Sequence, residues 1–340
     1  MRATVMYGPG DVRVEDRPEP TIEASTDALV RVLRTCICGS DLHPYHSMKP
    51  SDDGARMGHE MIGVVERVGD SVSTIHEGDL VITPFAFSDN TCDICRDGFQ
   101  SACPHGGFFT TCQSEIVRVP QADGTLVAAP ATEDESVLKS YLTLSDVYLT
   151  GYHAAFMGKV EPGKSVTVIG DGAVGLSAVL AASRMGAERV ILMGRHTSRT
   201  DLGREFGATD VVAERGQEGV EKVRDLTGGQ GTHVVLEAVG HMPAYEQAYG
   251  VVRSGGVISR VGVPQYEEAP VGFMSLFGRN ITLTGGPAPI RAYLEQGLAD
   301  VTEGLINPGR LFDVTLSLDE APKGYELMDS RKALKVMLVP

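Results

Sequence analysis

The stretch SVTVIGDGAVGLSAVLAAS, which begins at Ser165, limits the fold of this chain more than any other. A short apolar run, Ser165 to Ile169, reads as a buried strand. It leads directly into Gly170-Asp171-Gly172-Ala173-Val174-Gly175 and then into an apolar helical pattern from Val174 to Met185, ended by Gly186. With 40 glycines in the chain the spacing alone is weak evidence. The strand before it and the helix after it give it weight. In that context the first glycine allows a tight turn, the second lets backbone approach a pyrophosphate, and the third lets helix pack on strand. The helix N-terminus offers free N–H groups to phosphate oxygens, so Gly170, Gly172, Ala173, Val174 and Gly175 are candidate dinucleotide-binding residues. The same rhythm continues with strands at Arg189–Met193, Asp210–Val212, His233–Glu237, Val257–Val261 and Ile281–Thr284, and helices at Thr200–Phe206 and Glu218–Leu226. Strands alternating with helices in this way predict an α/β fold with a doubly wound parallel sheet.

An acidic residue at the end of the second strand would accept the ribose 2′-OH of NAD. Here that strand ends in Gly194-Arg195-His196, with Arg199 and Arg204 on the helix that follows. Gly194 leaves room, and the Arg195 and Arg199 guanidinium groups suit a 2′-phosphate, which predicts NADP(H) over NAD(H). The alternative is that these arginines are solvated surface residues.

A chain of 340 residues suits two domains, and 42% hydrophobic with 22% charged residues is a globular composition. A net charge of −15 gives no general attraction to phosphate backbones or anionic lipid, so nucleic acid and membrane are not expected partners. The N-terminal residues lack the basic start and apolar core of a signal peptide, and no apolar run is long enough to span a bilayer, so the expected location is cytoplasmic. Residues 1 to about 145 read as short strands broken by Gly, Pro and Asp, among them Ala28–Cys36, Ile62–Val68 and Asp79–Thr83. This predicts a mostly antiparallel, barrel-like domain with long loops. The final apolar strand, Lys335–Val339, can return to it and make the dinucleotide domain an insertion.

Cys38 stands where an apolar strand runs into a polar turn, and His59 precedes Glu60 in a glycine-flanked stretch. Thiolate, imidazole and carboxylate suit Zn²⁺, and a catalytic zinc takes three protein ligands and leaves one position open. A second cluster, Cys92-x2-Cys95-x7-Cys103, has spacing better suited to metal or redox chemistry than to disulfides in a large intracellular chain, and metal is favoured because the Cys-x-x-Cys lies outside the βαβ segment. A metal centre upstream of a dinucleotide fold implies metal-assisted hydride transfer.

These residues resemble the medium-chain, zinc-dependent alcohol dehydrogenase family, and the resemblance runs nearly end to end. It is carried by Cys38-Gly39-Ser40-Asp41-Leu42-His43, Gly58-His59-Glu60, Gly78-Asp79-Leu80-Val81 and Val261 to Pro264. The resemblance implies a GroES-like β-barrel catalytic domain over residues 1–146 and 285–340, and a Rossmann domain over 147–284. It implies Asp146, four residues before Thr150, as third ligand beside Cys38 and His59, with Glu60 as a labile fourth. Asp146 also reads as a helix N-cap. Asp41 would orient the ligand imidazole, and Ser40 and His43 match the positions that relay the alcohol proton. Val261 and Val263 would lie near the nicotinamide. The family's four-cysteine structural zinc lobe would here be Asp89, Cys92, Cys95 and Cys103, a departure at its first position.

The implied reaction is hydride transfer between an alcohol, or its aldehyde or ketone, and NADP(H), in a homodimer or homotetramer. Phe85 is the first candidate for an apolar wall of the substrate pocket, with Met57 and Phe108–Phe109 behind it. Competing readings are a polyol or sugar-alcohol dehydrogenase using NAD, a zinc-independent quinone or enone reductase, and a noncatalytic NADP(H)-binding sensor.

Overall fold

The computed structural model describes residues 1–266 and 272–340. It divides into two compact units, Met1–Asp146 with Pro289–Pro340, and Val147–Ala288.

In the first unit the spine is the strand Ala28–Cys36, whose alternation of valines and leucines with arginines buries one face. It pairs antiparallel with Met61–Val68 along one edge. Along the other it takes Ile116–Val119 beside its first half and Val336–Val339 beside its end. Leu80–Thr83, Val127–Ala128 and Val314–Ser317 complete a seven-stranded sheet. It is antiparallel apart from the parallel pair Val314–Ser317 and Val336–Val339. Gly63 is needed at the irregular register opposite Val32, because a Cβ there would stand 2.3 Å from the Arg31 carbonyl oxygen. The last strand matters most for the site. Met337 and Leu338 pair with Cys36 and Thr35, and the Ile37 N–H donates to the Val336 carbonyl at 3.0 Å, so the chain's end fixes the backbone just before Cys38. Beneath this join lies a core of Ile37, Met57, Leu318, Tyr325, Val336 and Leu338. Each fully buried aliphatic side chain there contributes about 1.5–3 kcal/mol of transfer free energy.

The second unit is a six-stranded parallel sheet in the order Asp210–Val212, Arg189–Met193, Ser165–Ile169, Thr232–Glu237, Val252–Arg260, Thr282–Gly285. Its central strands are apolar almost throughout because helices cover both faces. Strand order reverses between Ser165–Ile169 and Thr232–Glu237, the switch point where open α/β sheets bind ligands. The helix after Arg189–Met193 begins at Thr197, a turn earlier than the residue pattern indicates. Its cap residue His196 makes no side-chain cap bond. Instead the Asp171 carboxylate accepts the N–H groups of Arg195 and His196 at 2.8 and 2.9 Å, so the helix start is stabilised from another turn. Among the described residues no helix is long and apolar enough to cross a membrane.

Candidate metal and dinucleotide sites

Three separated segments of the first unit build one buried cluster. Cys38 caps the 3₁₀ turn Gly39–Asp41, and its N–H donates to Asp41 Oδ2 at 3.0 Å. His59 and Glu60 immediately precede the strand Met61–Val68, after Gly58 in a left-handed conformation with φ +93°. Thr35 Oγ1 anchors them by donating to the Glu60 carbonyl at 2.7 Å. Asp146 ends the turn that follows the helix Glu135–Thr143.

The donor atoms of Cys38, His59, Glu60 and Asp146 all lie within 4.8 Å of one another. Asp146 Oδ2 is 3.3 Å from His59 Nε2 and 3.7 Å from Cys38 Sγ, and Glu60 Oε1 is 4.0 Å from His59 Nε2. The other ring nitrogen, Nδ1, stands 3.4 Å from Asp41 Oδ1, so the imidazole is held from behind and presents Nε2 to the cluster. Glu60 Oε1 accepts from Lys335 Nζ at 2.8 Å, with both side chains 1% exposed. Its other oxygen, Oε2, finds no partner among the described residues.

Burial and the carboxylates of Glu60 and Asp146 push the Cys38 thiol above its usual range. Burial also raises Glu60, outweighing the ammonium of Lys335. Burial opposes the charged form of His59, yet the carboxylates of Asp41 and Asp146 hold its pKa well above the ordinary 6.5. A thiol, an imidazole and two carboxylates thus face one point with an excess of acidic groups. That mixed sulfur, nitrogen and oxygen set fits a zinc ion.

In the second unit the glycine-rich turn has the geometry a dinucleotide needs. Gly170 has φ +111°, and a Cβ on Gly175 would sit 1.9 Å from the Gly170 carbonyl oxygen, so helix and strand approach as closely as backbone allows. A Cβ on Gly172 would meet nothing within 4 Å. The protein itself does not require glycine at 172, but a phosphate brought against the backbone there would. Ala173 and Val174 open the helix Ala173–Arg184 and present its first N–H groups. A cavity of about 520 Å³ beside this turn is lined by Gly170, Gly194 and Arg195, and also by Asp171, Arg215 and Tyr266. Arg199, half-buried on the next helix, is outside that lining. Val261 donates its N–H to the Glu237 carbonyl at 2.9 Å, and Val263 is 53% exposed at the same end of the sheet.

Residues 24–131 match the family model described as alcohol dehydrogenase GroES-like domain, and residues 173–296 the one described as zinc-binding dehydrogenase. The chain is 36% identical to zinc-type alcohol dehydrogenase B of Aspergillus flavus, over 99% of its own length and 81% of the relative's. The chain belongs to the medium-chain zinc-dependent alcohol dehydrogenase family. Alcohol dehydrogenase TADH from Thermus sp. ATN1 superposes on it with a TM-score of 0.91 at 35% identity, covering 100% of this chain and 99% of the other. The apo form of zinc-dependent alcohol dehydrogenase 2 from Streptococcus pneumonia gives 0.90 at 32% identity, covering 100% and 98%. As a member of that family this chain is an oxidoreductase that works with zinc and a nicotinamide cofactor on a small-molecule substrate.

The dehydrogenase carries a second donor cluster in its first unit, where Asp89, Cys92, Cys95 and Cys103 lie within 4.8 Å of one another. Cys92 Sγ is 3.9 Å from Cys103 Sγ and accepts the Cys95 N–H at 3.4 Å. Asp89 accepts N–H groups from Thr91 and Cys92 and meets His105 Nδ1 at 2.5 Å. Burial works against its charge, but those donors win and hold the carboxyl below the usual range.

Ser40 and His43 sit outside the four-donor centre, on the 3₁₀ turn and the short helix Leu42–Ser47 that follow Cys38. Phe85 meets the His59 ring edge-on at 6.4 Å and stacks on the 59% exposed Phe108 at 5.8 Å. Met57 and Phe109 correct the reading of the apolar wall. Both point into the interior, 7% and 6% exposed, as parts of two separate cores. Two further residues carry contacts that their local pattern does not announce: Lys335, at the start of the last apolar strand, and Asp171, within the glycine-rich turn. A lysine ahead of Val336 to Val339 and a carboxylate inside a phosphate-binding turn were the available signals.

Proposed function

We propose that this dehydrogenase interconverts small apolar alcohols and their aldehydes or ketones at a catalytic zinc held by Cys38, His59 and Asp146. The observation that carries this reading is the convergence of those three side chains, from distant parts of the chain, on one buried point. Zinc held there would supply Lewis acidity, lowering the pKa of an alcohol hydroxyl and polarising a carbonyl. The nicotinamide would supply the hydride acceptor or donor. The protein's part is to orient and to exclude water. Asp41 fixes the His59 tautomer, and Lys335 balances Glu60, which is proposed as a labile fourth ligand. Ser40 and His43 are assigned the proton route by family position. The Phe85–Phe108 stack beside His59 favours aliphatic or aromatic substrates over polyols.

NADP(H) is supported by Arg195 after the second strand and Arg215 after the third, which line the same cavity, with Arg199 on the helix that follows Arg195. One observation favours NAD(H) as a second reading. The Asp171 carboxylate, 8% exposed, occupies the N–H groups of Arg195 and His196 and places negative charge where a 2′-phosphate would approach. Asp89, Cys92, Cys95 and Cys103 are proposed to hold a second, structural zinc. Thr282–Gly285 is one of the two edge strands of its sheet, and Phe273 and Phe277, 94% and 80% exposed, lie just before it in sequence; together they suit a homodimer or homotetramer. Cysteines serving as metal donors suit a reducing compartment such as the cytoplasm.

The test is a panel of alcohols and aldehydes with both cofactors on zinc-loaded protein. Turnover of apolar alcohols that is lost on chelation and returns with zinc supports the reading. Turnover that survives complete zinc removal would replace it with the zinc-independent reductase, and no turnover with either cofactor would replace it with the sensor. A higher kcat/KM with NADP(H) upholds the cofactor preference, and equal or better use of NAD(H) overturns it.

A further inference from the structure

We propose that Gln113 and Tyr325 are positioning residues for His59, acting as a buried hydrogen-bonded chain that sets both the backbone and the ring of that ligand. The inference rests on the assignment of His59 as a zinc ligand. Tyr325, fully buried on the helix Ala321–Asp329, donates its hydroxyl to Gln113 Oε1 at 3.1 Å. Gln113, 1% exposed, uses its amide nitrogen to donate to Asp41 Oδ2 at 3.2 Å and to the Cys36 carbonyl at 3.1 Å. Asp41 Oδ2 also receives the Cys38 N–H at 3.0 Å. With two donors on Oδ2, Asp41 Oδ1 is the oxygen left for His59 Nδ1, at 3.4 Å.

The amide can sit only one way round. Reversed, its oxygen would face a carboxylate and a carbonyl, two acceptors with no proton to offer it, and both would lose their donor. Gln113 therefore commits Asp41 to the role of acceptor, which keeps the proton on His59 Nδ1 and the lone pair of Nε2 toward Cys38 and Asp146.

The same residue also sets the turn that carries His59. The Gln113 N–H donates to the Met57 carbonyl and the Cys112 N–H to the Gly58 carbonyl, both at 2.9 Å. A Cβ on Gly58 would stand 2.5 Å from Gln113 Cγ and 2.6 Å from its backbone nitrogen. The glycine of Gly58-His59-Glu60 is thus required by Gln113 as well as by its own φ of +93°. Tyr45 stacks on Tyr325 with ring centroids 5.5 Å apart, holding the far end of the chain. A side chain that merely filled the core would not need to match donors and acceptors at every link.

The test compares wild type with Gln113→Leu, Tyr325→Phe and the double variant. Two readouts are taken: chelator competition for the zinc whose binding Cys38→Ser abolishes, and the visible absorption of the cobalt-substituted protein. Gln113→Leu should weaken zinc retention by about 10–100-fold and shift the cobalt bands, as loss of support behind a ligand does. Tyr325→Phe keeps the ring packing and should weaken retention less, by under about 10-fold, in the same direction. The double variant should be no worse than Gln113→Leu, because Tyr325 acts through Gln113. Folded variants with wild-type zinc affinity and unchanged cobalt bands would overturn the proposal. Should Gln113→Leu fail to fold, Tyr325→Phe decides alone by the same two readouts. A wild type with no zinc sensitive to Cys38→Ser would instead defeat the underlying assignment of His59.

Discussion

The two donor clusters of the first unit are similar in size and opposite in construction. Asp89, Cys92, Cys95 and Cys103 come from one continuous loop, and their supports, Thr91 and His105, come from the same loop. Cys38, His59, Glu60 and Asp146 are brought together only by the fold, and their supports Asp41, Gln113, Tyr325 and Lys335 are buried and span the unit from end to end. A local loop can shape its own site, so a metal held there would act as a staple for that loop. A site assembled from three segments depends on the fold, and donors fixed in that way would let a bound zinc keep one coordination position open. The geometry thus matches the proposed division between a stabilising role and a chemical one.

The widest separation should come from cysteine exchange at each cluster. Cys38→Ser is expected to lower kcat/KM by at least about 100-fold, more than loss of a supporting residue does, while dinucleotide binding followed by cofactor fluorescence is retained. Cys95→Ser should keep kcat within a few-fold and lower the melting temperature instead. Equal losses of activity in both would erase the distinction.

Lys335→Met probes whether the buried centre relies on charge balance. Removing the ammonium leaves the Glu60 carboxylate buried and unpaired, at a cost of about 3–5 kcal/mol in denaturant unfolding. A stability unchanged from wild type would mean that Glu60 is not charged there.

The smallest effect is expected from Asp89→Asn, read as stability against pH. The Asp89 carboxyl is held below its unfolded value near 3.9, so it contributes stability that is fully present above about pH 4. That contribution is lost as pH falls through the lower folded pKa. The stability difference between wild type and variant should therefore be constant above about pH 4 and close below it. A difference that grows on acidification would contradict the assignment of Asp89 as a charged donor.

Much of this was legible in the residues. The strands Ala28–Cys36, Ser165–Ile169, Arg189–Met193 and Asp210–Val212 follow from apolar patterning, with the ends found in the structure, because burial on one face or both dictates that patterning. Cys38 stood out by residue type and by its place where an apolar strand meets a polar turn, and His59 by residue type in a glycine-flanked stretch. Asp146 did not, since an aspartate ahead of an apolar run reads equally as a helix cap, and only family position raised it. Contacts between distant segments were hidden for a physical reason. Whether Lys335 lies along a strand in water or reaches Glu60 depends on a pairing register that no local pattern encodes. Asp171 likewise completes the start of another helix, which capping rules applied to that helix alone cannot foresee. Met57 and Phe109 show the converse, apolar residues near the site in sequence whose side chains belong to cores.

Cys38, His59 and Asp146 are proposed to share one zinc ion. A crystal of the zinc-loaded enzyme measured on both sides of the zinc absorption edge tests it directly. The expected result is an anomalous peak bonded to Cys38 Sγ at about 2.3 Å and to His59 Nε2 and an Asp146 oxygen at about 2.0–2.2 Å. A zinc peak among Asp89, Cys92, Cys95 and Cys103 with none beside Cys38 would contradict it.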